Sequence, residues 1–287
     1  MNNEYELFKD IVHSFAVTDF ERNYVKGSLL RAWKTLQLLE STEQRGSLLD
    51  VGGMRGIYAP AYIELWGYEN VTVLDNENTE ETSFVRTCGD RKYVIHSANC
   101  NIELQSWPFE DEQFDTVIAM EVFEHLIFDP MFAMNELCRV LKPGGTLLMT
   151  VPNTVSDQCL AFLVNDMQPG YLRRYISDAL KSGERSLDTV ANLGHFHEYT
   201  RQDLVALLSA SGFEIQRLDG FTYKQPLLHS FRLELLNLFV RLLFPRAKRI
   251  RDDVLRAVAR KQVHIPLDQL PYRYPEPIYM SIGKNAE

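Results

Sequence analysis

The sequence predicts an α/β chain built on a doubly wound, mostly parallel sheet. From Ser47 onward short apolar runs alternate with helical patterns, glycines gather where the first run ends, and an acid closes the second. Strands alternating with helices mean βαβ units, with helices covering both faces of the sheet. The composition, 45% hydrophobic and 24% charged, excludes disordered and fibrous classes. Thirty basic against thirty-nine acidic side chains give a net charge of −9, so nucleic acid is not an expected partner. Cys88, Cys100, Cys138 and Cys159 form no CxxC pair, which argues against a zinc ribbon or disulfide framework and fits a reducing compartment. The stretch Met1–Glu6 has neither the basic flank nor the apolar run of a signal peptide. No run reaches the ~20 apolar residues of a spanning helix. A soluble, cytoplasmic protein is expected.

The elements follow in order. Residues 5–40 space their apolar positions by three and four and read as one or two leading helices. Strands are expected at Leu48–Val51, Val71–Leu74, Tyr93–Ile95, Thr116–Ala119 and Thr146–Met149. Asp129-Pro130 is an N-cap followed by proline at the first helical position; that helix runs to about Leu141, and Lys142-Pro143-Gly144-Gly145 stops it. Thr200 with Asp203 resembles a capping box, opening a helix that Gly212 closes. Phe213–Leu218 and Val254–Arg260 supply two further strands. The division expected is a helical lead over 1–45, one sheet-bearing domain over 46–265 and a tail over 266–287. Insertions at about 154–194 and 221–251 would cap the ends of the sheet, where specificity is usually built.

In such sheets ligands bind beyond the carboxyl ends of the strands, where strand order reverses. Asp50-Val51-Gly52-Gly53-Met54-Arg55-Gly56 ends the first strand, and glycine lets a backbone turn sharply and approach a ligand. Asp75 ends the second strand, where an acid can accept both hydroxyls of a ribose; capping the next helix is its other reading. Met54 stands where GxGxxG needs its second glycine, and no GK[ST] follows, so a phosphate cradle is poorly supported. What remains is a nucleoside ligand without a pyrophosphate.

Residues from about 47 to 220 resemble a class I S-adenosylmethionine-dependent methyltransferase of the type-11/23 group. Leu49–Gly56 resembles its D-x-G-x-G-x-G motif, and Trp107–Asp115 its approach to strand four. Glu121-Val122-Phe123-Glu124-His125-Leu126 resembles E-V-L-E-H-L, and Arg139–Gly145 matches R-V-L-K-P-G-G. Val151-Pro152-Asn153 resembles the T-P-N after strand five, and His195–Thr200 resembles H-x-x-E-Y-T. The resemblance implies a Rossmann-like sheet of seven strands, the last antiparallel and supplied by Val254–Arg260. It implies S-adenosyl-L-methionine as cofactor, with Asp50, Gly52, Gly53 and Gly56 around its methionyl part and ribose. Asp75 would hold the diol, Asn101 and Ile102 the adenine, and Met120 and Glu121 the methionine end and acceptor entrance. Asn101 stands where many relatives have aspartate; its carbonyl can still accept the adenine's hydrogen bond.

Methyl transfer to oxygen needs a base, and histidine suits the task. His195 and His197 are the candidates, with His125 a third; the alternative is that they tie their segment to its neighbours by hydrogen bonds. No third well-spaced ligand accompanies His195, His197 and Glu198, so no metal is expected. Across 227–244, Ser230, Glu234, Asn237 and Arg241 make a narrow polar stripe, and Arg246, Lys248, Arg249 and Arg251 follow. Such a segment is covered by the domain, by a second copy in a homodimer, or by an anionic membrane at whose inner face the protein would be peripheral. The expected activity is O-methylation of a sugar, glycolipid or other small molecule. A catalytically silent cofactor-binding or scaffold protein and a nicotinamide-dependent oxidoreductase are the alternatives.

Overall fold

The computed structural model describes residues 3–42, 44–76, 82–88, 90–156, 159, 195–222, 242 and 254–261. The insertions and tail, with the segment 227–251 and its basic stretch, lie almost wholly outside the described residues. No helix among the described residues is long and apolar enough to cross a membrane.

Two helices lead: α1 (Asn3–Phe15) and α2 (Asp19–Leu36). Thr18 caps α2 through a capping box, its hydroxyl accepting from Glu21 N–H while the Glu21 carboxylate accepts from Thr18 N–H. Then come β1 (Ser47–Val51), α3 (Ala59–Trp66), β2 (Asn70–Asp75), β3 (Ser83–Cys88) and β4 (Arg91–Asn99). The chain returns through β5 (Phe114–Met120), α4 (Pro130–Val140), β6 (Leu141–Pro152), α5 (Arg201–Ala210), β7 (Phe213–Phe221) and β8 (Val254–Lys261). Asp129 caps α4, and Thr200 with Asp203 forms the capping box of α5.

The sheet order is β3-β4-β2-β1-β5-β6-β8-β7. β1, β2, β4, β5 and β6 run parallel, and β8 runs antiparallel to both β6 and β7. The Rossmann-like class is as expected; the sheet has eight strands among the described residues rather than seven. The additional strand is β3, an antiparallel edge partner of β4.

The uninterrupted apolar strands are explained by two cores, one on each face. Leu49, Val117 and Leu147 pack with α4 and α5, whereas their neighbours Leu48, Ile118 and Leu148 pack with α1, α2 and α3. The helical lead therefore shares a core with the sheet. After β2 the chain moves outward to β4, then returns to β5 on the other side of β1. The order reverses at the carboxyl ends of β1 and β5, which places the site there.

Candidate functional site

The loop after β1 carries a run of left-handed residues: Met54 (φ 48°), Arg55 (φ 54°) and Gly56 (φ 65°), with Gly52 (φ 69°) before them. For a residue with a Cβ this conformation costs about 1–2 kcal/mol, so something must hold Met54 and Arg55. Gly56 N–H donates to Gly53 O (2.9 Å), and Arg55 N–H donates to Asp75 Oδ2 (2.9 Å). Arg86, from the edge strand β3, donates twice to Arg55 O (3.1 and 2.5 Å). The same guanidinium pairs with Glu21 at 2.6 Å, both side chains 9% exposed, and donates to Phe15 O. Arg86 thus pins the turn to the helical lead. The departure from glycine at Met54 is absorbed by these bonds.

Beside the loop lies a pocket. It is lined by Asp50, Gly52, Gly53 and Met54 from the end of β1 and its loop, by Tyr24, Arg31, Ala32 and Thr35 from α2, and by Tyr58, Met120 and Thr150. Asp50 is buried, accepts from the Tyr62 hydroxyl at 2.8 Å, and sits so close under Gly53 that a Cβ there would meet its carboxylate at 2.7 Å. Burial pushes the Asp50 carboxyl up to about 7 against the pull of the Tyr62 bond, with the Asp75 charge adding to the rise. Arg31 Nη1 meets Glu121 Oε2 at 2.9 Å, while Glu121 Oε1 is buried without a hydrogen-bond partner. Glu121 is itself left-handed (φ 57°), its N–H donating to Thr150 O. The pocket lining therefore includes the Arg31 guanidinium and the buried Asp50 carboxyl, with Glu121 paired to that guanidinium.

Of the expected cofactor residues, Asp50, Gly52, Gly53 and Met120 line this pocket, and Glu121 holds its arginine. Gly56 does a packing job, since a Cβ there would meet Ala59, Phe84 and Val73 at 3.2 Å. Asp75 anchors the loop. Asn101 and Ile102 stand apart: the Asn101 side-chain carbonyl accepts from Glu103 N–H (3.0 Å), and Ile102 packs against the core. Sequence reasoning missed Tyr24, Arg31 and Thr35, which recur at seven and four residues along α2 and so share one helical face. It also missed Tyr58, Thr150 and Arg86.

The three histidines gather beyond β5. His125 closes a 3-10 turn, Phe123–His125. Its ring meets that of His195 edge-on, centroids 4.9 Å apart. Phe196 N–H and His197 N–H both donate to Glu124 O (2.7 and 3.3 Å), lashing the two segments together. His125 Nε2 lies 3.9 Å from Glu124 Oε1, and His195 Nδ1 3.8 Å from Glu198 Oε1. His197 turns elsewhere, its ring 6.4 Å from that of Tyr199 and its Nε2 buried without a hydrogen-bond partner. Glu124 is 1% exposed; burial, and then the charge of Glu121, push its carboxyl well above the usual range.

Fold and site define an α/β protein with a polar pocket at the switch point of a doubly wound sheet. The family model described as a methyltransferase domain matches residues 22–218, more than half of the 287 residues, and the chain belongs to that family. Among curated relatives, the ubiquinone/menaquinone biosynthesis C-methyltransferase UbiE of Francisella tularensis subsp. novicida is 27% identical over 148 residues, covering 48% of this chain and 56% of the relative. Its counterpart from Neisseria meningitidis serogroup C is 27% identical over 142 residues, covering 49% and 57%. The chain thus spans little more than half the length of these relatives. A Bacillus halodurans structure described as a methyltransferase superposes with a TM-score of 0.51 at 17% identity, covering 80% of this chain and 100% of that one. A chain from the Haloferax volcanii complex of the Trm112 activator with a methyltransferase gives 0.50 at 16% identity, covering 84% and 95%. At such identities these structures speak for the fold alone.

Proposed function

We propose that the chain transfers a methyl group from S-adenosyl-L-methionine to an oxygen of a sugar, glycolipid or other small molecule. The observation that carries this reading is the pocket lined by Arg31 and Asp50, with Arg31 paired to Glu121 and the neighbouring loop anchored on Asp75. An amino-acid end needs one cationic and one anionic partner, and a ribose needs a carboxylate. The orphaned Glu121 Oε1 fits the same ligand, because a buried acceptor without a partner costs about 1–3 kcal/mol until a donor arrives.

Arg31 would hold the cofactor's carboxylate, Asp50 its ammonium and Asp75 its diol. When bound, the cofactor supplies a methyl group on a sulfonium, open to in-line displacement. The protein's own part is alignment, exclusion of water and removal of the acceptor's proton as the oxygen–carbon bond forms. We assign the proton to His197, whose Nε2 has no competing hydrogen bond among the described residues. The basic residues Arg246, Lys248, Arg249 and Arg251 support an acceptor held at an anionic membrane surface.

Calorimetry with S-adenosylhomocysteine and with NADH tests the cofactor: binding of the first alone is expected, and binding of neither would leave a silent scaffold. Cells fed methyl-labelled methionine, with and without the gene, then test the acceptor by mass spectrometry. A labelled methoxy group supports the reading. A second reading, C-methylation of a quinone ring, is favoured by the similarity to the UbiE relatives, and a labelled ring methyl would establish it instead.

A further inference from the structure

We propose that Glu124, His125 and His195 bind one divalent first-row cation, Zn2+ or Mn2+, whose open positions take the hydroxyl groups of the acceptor. The cation half stands on the side chains themselves. The acceptor half rests on the reading of O-methylation above.

One ligand atom from each of the three residues lies within 4.8 Å of the other two. Around a cation with bonds of about 2.0–2.2 Å, ligands stand roughly 3–3.5 Å apart, so closing the site takes shifts of about an ångström in side chains alone. The backbones are already tied, because the residues following His195 donate to the carbonyl of Glu124. The edge-on packing of the His125 and His195 rings keeps both imidazoles in one place.

The second observation is electrostatic. Glu124 Oε2 is buried with no hydrogen-bond partner on a residue only 1% exposed. A buried carboxyl oxygen left without a partner beside two imidazoles is an acceptor that a cation answers. Glu198, 3.8 Å from His195 Nδ1, is placed to orient that ring, as outer carboxylates do for metal-bound histidines.

Two imidazoles and one carboxylate favour a borderline cation over Mg2+, which prefers oxygen and water. Three protein ligands leave positions open, the arrangement of sites that bind substrate. A hydroxyl bound there is a stronger acid. A substrate presenting two neighbouring hydroxyls, as on a sugar or a catechol-like ring, would chelate the ion and fix which oxygen is methylated.

The test uses the full chain, stripped with a chelator, dialysed, and titrated separately with Zn2+ and Mn2+. Bound metal is read by elemental mass spectrometry, with no acceptor or cofactor present. One equivalent is expected in the wild type and in His13→Ala, which removes an exposed histidine on α1. Glu124→Gln and His195→Asn, near-isosteric changes on separate segments, should each weaken binding tenfold or more. Their S-adenosylhomocysteine affinity should stay within threefold, which reports that they are folded. A wild type that binds no metal, or folded variants that bind as the wild type does, would overturn the site. Metal binding without S-adenosylhomocysteine binding would sink the cofactor reading and leave the cation site standing. With both bound, methylation that survives chelation undiminished would overturn the acceptor half.

Discussion

Replacing Arg86 by methionine keeps the apolar stem and removes a guanidinium that four acceptor contacts share. Breaking a buried ion pair from one side costs about 3–5 kcal/mol. The low end applies, because Glu21 keeps the N–H groups of Val17 and Thr18, each at 2.9 Å. Arg55 is exposed, so its carbonyl turns to water at little cost. We therefore expect Arg86→Met to lose about 3 kcal/mol in urea unfolding at pH 7.5. Glu21→Gln, which leaves a neutral acceptor in place, should lose about 1.5–3 kcal/mol, the range for a charged hydrogen bond. The double variant should fall short of the sum by at least ~1 kcal/mol, since both changes remove one interaction. S-adenosylhomocysteine affinity should drop with Arg86→Met, because the left-handed turn loses its clamp. A loss under 1 kcal/mol, or strict additivity in the cycle, would refute the clamp.

Three further outcomes are expected. Asp75→Ala should weaken S-adenosylhomocysteine by about 1.5–3 kcal/mol in calorimetry; unchanged affinity would remove Asp75 from the ligand. The Asp50 carboxyl stands at about 7 in the free protein and must ionise to meet an ammonium, so binding releases a proton below that pH. Affinity should then rise from pH 5.5 to 7 and level off above, a slope that Asp50→Asn abolishes; a flat wild-type profile would contradict the pairing. Met54→Gly removes a left-handed Cβ and should raise the unfolding free energy by up to ~1 kcal/mol with affinity equal or higher. A tenfold loss of affinity would mean that the Met54 side chain contacts the ligand.

Local chemistry was the legible part of this chain. Continuous runs such as Thr116–Ala119 announce strands buried on both faces, and Asp129-Pro130 or Thr200 with Asp203 announces a helix start within four residues. Ser83–Cys88 escaped because it lies at the sheet edge. There Val85 is exposed and Arg86 buried, so no alternation of apolar and polar residues marks the strand. Arg31 escaped for a different reason: its partner Glu121 lies ninety residues away, and a helical face cannot say what it will meet. What the sequence did not announce at Asn101 is that its side chain meets the N–H of Glu103 two residues on, a bond typical of asparagine in turns. The histidines were visible as a pair at 195 and 197, yet the structure joins His195 to His125 instead.

The helical lead has a consequence for anyone recombining such proteins. A cut at residue 45 would spare every strand, and would seem a natural seam by element pattern alone. It would take away Tyr24, Arg31 and Thr35, and with them one side of the pocket. It would also strip Phe8 and Trp33 from their packing against Trp66, leaving aromatic surface on α3 bare. A lead exchanged between homologues would arrive with its own residues at positions 24, 31 and 35, and so would bring part of the pocket lining with it.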